Sequence, residues 1–61
     1  MNERFTYSLE QVEEYYSVVY DHEAHTAYES PIFDRWGASE DWATAKIQEL
    51  KFNAKIAAER S

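Results

Sequence analysis

The residues predict an all-α fold, a helical hairpin of two main helices with a short connector, dimerising into a small helical bundle. Three observations carry this. Ser8 and Gln11 have the S-x-x-Q spacing of a capping box, and Ser39 stands ahead of apolar residues at helical spacing. Between them, Ser30-Pro31 and Gly37 punctuate the chain as a connector would. All 61 residues fall in one small domain, with an arm over 1–7, helix 1 over 8–29, a connector over 30–38 and helix 2 over 39–59.

In the arm, Arg4-Phe5-Thr6-Tyr7 alternates polar and apolar residues, a pattern that suits an extended arm or an edge strand. Helix 1 starts where Ser8 caps and Tyr7 staples onto Val12. At about 100° per residue, Leu9, Val12, Tyr16, Val19, Tyr20, Ala24 and Ala27 share one face. The β-branched pair Val18-Val19 is the main feature that favours a strand instead. In the connector, Pro31 suits a first helical position and Gly37 a left-handed C-terminal one, giving a single helical turn. Ser39 then caps helix 2, with Glu40 and Asp41 at its positive end.

Helix 2 carries two apolar stripes. Ala43, Ile47, Leu50, Ala54 and Ala57 follow the 4-3-4-3 spacing of a packing seam. Trp42, Ala45, Phe52 and Ile56 form a second stripe roughly 150° away, which one neighbouring helix cannot also cover. Either the arm and connector cover it, or a second subunit or a target does. Size favours association. Burial contributes roughly 95 kcal/mol at about 25 cal/mol/Å². Ordering the chain costs roughly 90 kcal/mol. A lone copy is therefore marginal, and with no cysteine there is no disulfide to support it.

Charge is uneven along the chain. The net −6 divides into −7 over residues 1–34, where Arg4 faces eight acids, and +1 over residues 35–61. Glu10, Glu14 and Asp21 align on the polar side of helix 1, with Glu13 to one side. Glu10 and Glu14 repel at i,i+4, weakening an isolated helix by roughly 0.2–0.5 kcal/mol, and no lysine or arginine in helix 1 compensates. This balance excludes nucleic acid as a direct ligand, because phosphate binding needs a basic face. The acidic side is either a solvated face that keeps a small protein soluble or a surface for a basic protein partner. Carboxylates interleaved with tyrosines can imitate the charge and aromatic surface of nucleic acid, so a nucleic-acid-binding protein is one such target.

Other chemistries find no support in the residues. One glycine excludes the phosphate-binding loops that need several. Asp21-His22-Glu23-Ala24-His25 lacks the spacing that places two histidines on one helix face, so no metal site and no cofactor are expected. No serine sits in a nucleophile elbow, and enzymatic activity is not expected. No apolar run is long enough for a membrane span, and the polar N-terminus does not read as a signal peptide; a cytoplasmic protein is expected. A chain this short, acidic, aromatic-rich and cysteine-free is of the kind expected among accessory proteins of phages or mobile elements.

The expected function is that of a small acidic modulator or inhibitor acting stoichiometrically on a host protein, as a homodimer. Glu10, Glu13, Glu14 and Asp21 would meet the partner, and Trp42, Phe52 and Ile56 the partner or the second subunit. The alternative is a structural or assembly subunit of a larger complex that uses the Trp42-Phe52-Ile56 stripe.

Overall fold

A computed structural model describes residues 3–60. The first half of the chain is β-structure. Strands β1 (Phe5–Val12), β2 (Glu14–Asp21) and β3 (Thr26–Glu29) form an antiparallel meander in the order β1-β2-β3, followed by one helix, α1 (Trp36–Arg60). The fold is α+β, and the all-α helical hairpin is overturned. Residues 8–29, expected as one helix, make most of a sheet. Ser8 lies inside β1 and caps nothing; its hydroxyl donates to Glu10 at 3.1 Å. Of the expected arm, Phe5–Tyr7 open the edge strand β1, and residues 1 and 2 lie outside the described residues.

The physical reason is composition. Phe, Thr, Tyr and Val crowd residues 5–28, and their branched or aromatic side chains pack well on a pleated surface while losing rotamer freedom in a helix. What conceals the strands is their turns. The β1–β2 turn centres on Glu13 at φ 67°, and the β2–β3 turn ends on His25 at φ 55°. Both occupy the left-handed region that glycine or asparagine usually fills.

Asp21 holds the second turn together. One carboxylate oxygen accepts the Glu23 and Ala24 backbone N–H groups at 3.1 Å each. It also accepts Arg4 Nε at 3.0 Å, while Arg4 Nη2 donates to the other oxygen at 3.2 Å. The Asp-His-Glu-Ala-His segment is therefore a capped turn. Among the described residues, no three His, Asp or Glu side chains converge as metal ligands.

Strand β2 is bonded along both edges. Beyond β3 the connector stays beside it: Ser30 N donates to Ser17 O at 2.9 Å, and Tyr15 and Phe33 exchange backbone bonds at 2.7 and 3.0 Å. The register shifts by one residue between Val18↔Glu29 and Tyr15↔Phe33, which makes a bulge around Pro31. There the Ser30 hydroxyl accepts the Ser17 N–H at 2.8 Å, supplying the partner the bulge would otherwise remove.

Helix α1 starts at Trp36, three residues before the expected cap. Gly37 sits inside its first turn without a positive φ, and Ser39 is a buried internal residue whose hydroxyl donates to Trp36 O at 2.8 Å. The connector turn ending at Gly37 and the Ser39 cap are thus both corrected. The 4-3-4-3 seam is used, but against a sheet. Ala43 is fully buried, Ile47, Leu50 and Ala54 are half-buried, and Ala57 lies exposed farther along. The helix lies on the face that carries Tyr15, Ser17, Val19 and Tyr28. Ser17 Oγ donates to Ser39 O at 2.9 Å, and the Tyr15 and Trp36 rings meet in a tilted contact, centroids 4.6 Å apart and planes at 52°. Lys46 Nζ stands 4.9 Å from the centre of the Tyr28 ring. Among the described residues the buried apolar core is Phe5, Val18, Val19 and Ala43. It is a small core.

Candidate protein-binding face

Pairing register decides which side chains share the uncovered side of the sheet. Phe5, Tyr7, Leu9 and Gln11 of β1 lie opposite Asp21, Val19, Ser17 and Tyr15 of β2, on the helix side. The alternate set points away from the helix: Thr6, Ser8, Glu10 and Val12 on β1, Glu14, Tyr16, Val18 and Tyr20 on β2, Ala27 and Glu29 on β3. No element of the described chain covers this face.

The centre of the face is a ridge of Tyr16, Val18 and Tyr20. Val18 is only 8% exposed between its two tyrosines, whereas Tyr20 is 37% exposed. Glu10 pairs across from Tyr16, Glu29 from Val18, and Glu14 from Val12, so three carboxylates surround the aromatic ridge. No lysine or arginine belongs to the strand positions on this side. At one end His22 stacks on Tyr20, centroids 6.1 Å apart, and its Nε2 lies 2.6 Å from Thr6 Oγ1. At the other end is a shallow groove of about 220 Å³ lined by Val12, Glu13, Glu14, Tyr16 and Ile32. Val12 and Ile32 are 70% and 60% exposed there, the latter turned outward at the bulge. The groove can take an apolar side chain, and Glu13 and Glu14 on its rim can take a positive charge beside it.

The expected site residues divide. Glu10 and Glu14 do share a face, as even-numbered positions of a sheet rather than one side of a helix. Glu13 stands in the turn and on the groove rim. Asp21 does not join them. It is on the helix side, 5% exposed, and structural. The Arg4 hydrogen bonds hold its carboxyl below the usual carboxylate range, outweighing the burial that pulls the other way, with the Ala24 and Glu23 N–H groups assisting. Trp42 and Ile56 are half-buried and Phe52 is 63% exposed, on the helix and away from the acidic face. Tyr16, Val18, Tyr20, Glu29 and Ile32 escaped the helical reading. The signal that finds the first three is parity, since Glu10, Val12, Glu14, Tyr16, Val18 and Tyr20 occupy successive even positions.

The depressed Asp21 carboxyl gives a stability dependence of known sign. A group whose folded pKa lies below its unfolded value near 3.9 contributes its full stability above that value and loses it as pH falls through the lower folded one. The melting temperature should therefore fall on acidification below about pH 4. Asp21→Asn should melt lower at neutral pH and show a shallower acid slope. A parallel slope in the variant would assign the acid loss to other carboxylates.

Comparison with protein-family models, with curated proteins and with solved structures gave no match. No helix among the described residues is long and apolar enough to cross a membrane.

Proposed function

We propose that the open face of the sheet is a docking surface for a basic protein segment, and that the chain acts stoichiometrically as a small acidic modulator or inhibitor of the protein carrying it. One observation supports this most. Glu10, Glu14 and Glu29 surround an exposed tyrosine ridge on the side of the sheet that the helix leaves bare, with no base among them. Aromatic side chains supply contact area at low entropic cost, and the carboxylates supply steering and selectivity. Surfaces that otherwise meet phosphate and bases have the matching character, so a nucleic-acid-binding protein in the cytoplasm is the target class this reading favours.

The test is the triple variant Glu10→Gln, Glu14→Gln, Glu29→Gln. No core atom is removed, so the circular dichroism spectrum and melting temperature should hold. Affinity for a basic target, recovered by pull-down at low salt, should drop about tenfold as three modest rim contributions accumulate. Association should slow, with a weaker dependence on salt. The alternative, an assembly subunit that uses the apolar stripe, draws on the 63% exposure of Phe52. Binding that survives the triple variant and high salt but fails in Phe52→Ser would replace the first reading with this one.

A further inference from the structure

We infer that β1 is a pairing edge through which two copies of the chain join antiparallel into a six-stranded sheet, with Tyr7 on the two-fold axis. The pairing groups are the outward backbone N–H and C=O of β1, so the inference does not rest on the reading of the open face, although Glu10, Glu13 and Glu14 border both.

The two edges of the sheet differ. Strand β3 has four residues and runs into a bulge at Pro31, which has no N–H to offer, so that edge is short and interrupted. Strand β1 has eight residues, with no bulge in its register and no proline, glycine or lysine in its sequence. Bulges, proline and lysine are devices that keep strand edges from pairing; β1 has none of these, and its one charge is Glu10. The direction of its free groups follows from one bond. His22 N donates to Arg4 O at 2.8 Å, so Arg4 and His22 form a hydrogen-bonded pair, and bonding toward β2 alternates from there through the even positions. Phe5, Tyr7, Leu9 and Gln11 thus present their N–H and C=O groups outward.

Side-chain chemistry selects the register. With Tyr7 facing the partner's Tyr7, Phe5 meets the partner's Leu9 and Thr6 meets the partner's Ser8, apolar on apolar and hydroxyl on hydroxyl. Arg4 comes alongside the partner's Glu10. Placing Ser8 on the axis sets Phe5 against the partner's Gln11 and Thr6 against the partner's Glu10. Placing Leu9 there sets Tyr7 against the partner's Gln11. Both match less well.

The same register places the helix end. Helix α1 runs alongside β2 from Tyr15 toward Asp21, and its 25 residues outrun the eight of the strand, at about 1.5 Å against about 3.4 Å per residue. Its last six residues, about 10 Å, stand past the Phe5 end of the sheet, in a molecule 44 Å long and 18 × 17 Å across. In the Tyr7 register the partner's β1 continues past that same end, so its hairpin tip runs beside the overhang. The overhang carries Lys55 and Arg60 against Glu59, and the tip carries the partner's Glu13 and Glu14. The two-fold repeats this charge match at both ends. Surface area agrees. The chain exposes 4700 Å², roughly 600 Å² more than the roughly 4,100 Å² usual for its mass, and a standard interface takes about 800 Å² from each partner.

Sedimentation equilibrium of the full chain, from micromolar to submillimolar concentration, tests the pairing. The parent should be dimeric. Tyr7→Lys opposes two like charges on the axis and should raise the dissociation constant at least about tenfold. Its far-ultraviolet spectrum should be unchanged, because Tyr7 is 39% exposed. The register has its own readout in this cysteine-free chain. Thr6 and the partner's Ser8 form a non-hydrogen-bonded pair with Cα atoms about 4.5 Å apart, within disulfide reach. Oxidising a mixture of Thr6→Cys and Ser8→Cys chains should give mainly the mixed disulfide. A monomeric parent, a predominance of like disulfides, or a Tyr7→Lys dimer that Phe52→Glu dissociates would each overturn the inference. None of these measurements involves a basic partner, so they leave the reading of the open face standing or falling by itself.

Discussion

Val19→Ala should destabilise the chain by about 2 kcal/mol and lower its melting temperature by about 10 °C. Val19 is fully buried at the middle of β2, on the side of the sheet that the helix covers. Truncation removes two buried carbons, and a strand bonded along both edges cannot move in to close the space. The loss is large against the roughly 3–9 kcal/mol expected of a chain this size. The measurement is thermal melting at one fixed concentration, since a dimer's stability depends on concentration. Val12→Ala is the control. Val12 is 70% exposed, and its loss should stay within about 0.5 kcal/mol. Equal effects of the two substitutions would remove Val19 from the core.

Ala43→Leu should be comparably harmful, by about 1–3 kcal/mol, through crowding. Ala43 has no exposed surface and sits one turn after Ser39, whose carbonyl accepts the Ser17 hydroxyl at 2.9 Å. A larger side chain there lifts the helix from the sheet and breaks that bond. Leucine is itself a good helix former, so intrinsic propensity cannot explain a loss. Ala45→Leu provides the contrast, because Ala45 is exposed on the outward side of the same helix and leucine there should be close to neutral. Denaturant midpoints measure both, and the tilted Tyr15–Trp36 contact offers an indole signal for the helix lifting away. An Ala43→Leu chain as stable as its parent would show slack between helix and sheet.

Several features were legible in the residues. The helix of the second half was, because alanine, lysine, glutamate, glutamine and leucine dominate residues 43–59 and their apolar members recur at helical spacing. So was the inward seam through Ala43, Ile47, Leu50 and Ala54, whereas the residues alone leave Phe52 open between cover by the arm or connector and an outward position. The concentration of acids before residue 35 needs only counting. Glu10 and Glu14 were grouped correctly for a reason that does not hold, since a separation of four residues returns to the same side of a helix and also of a strand.

Tertiary structure alone decided the first half. Between Ser8 and Glu29 no glycine or proline marks a turn, and the left-handed positions fall to Glu13 and His25. Two strands joined through such turns leave one continuous stretch whose apolar residues also fit a helical face. Neighbours broke the tie. Strand β2 reaches its hydrogen-bonding capacity only with β1 on one edge and β3 and the connector on the other, and the Arg4–Asp21 contact that holds the second turn spans 17 residues. Local spacing cannot register such contacts, because their free energy exists only once the distant strands have met. The face assignment follows the same logic. Asp21 left the acidic group and Glu29 entered it when pairing set which side of the sheet each residue occupies, a choice made between strands and not within either of them.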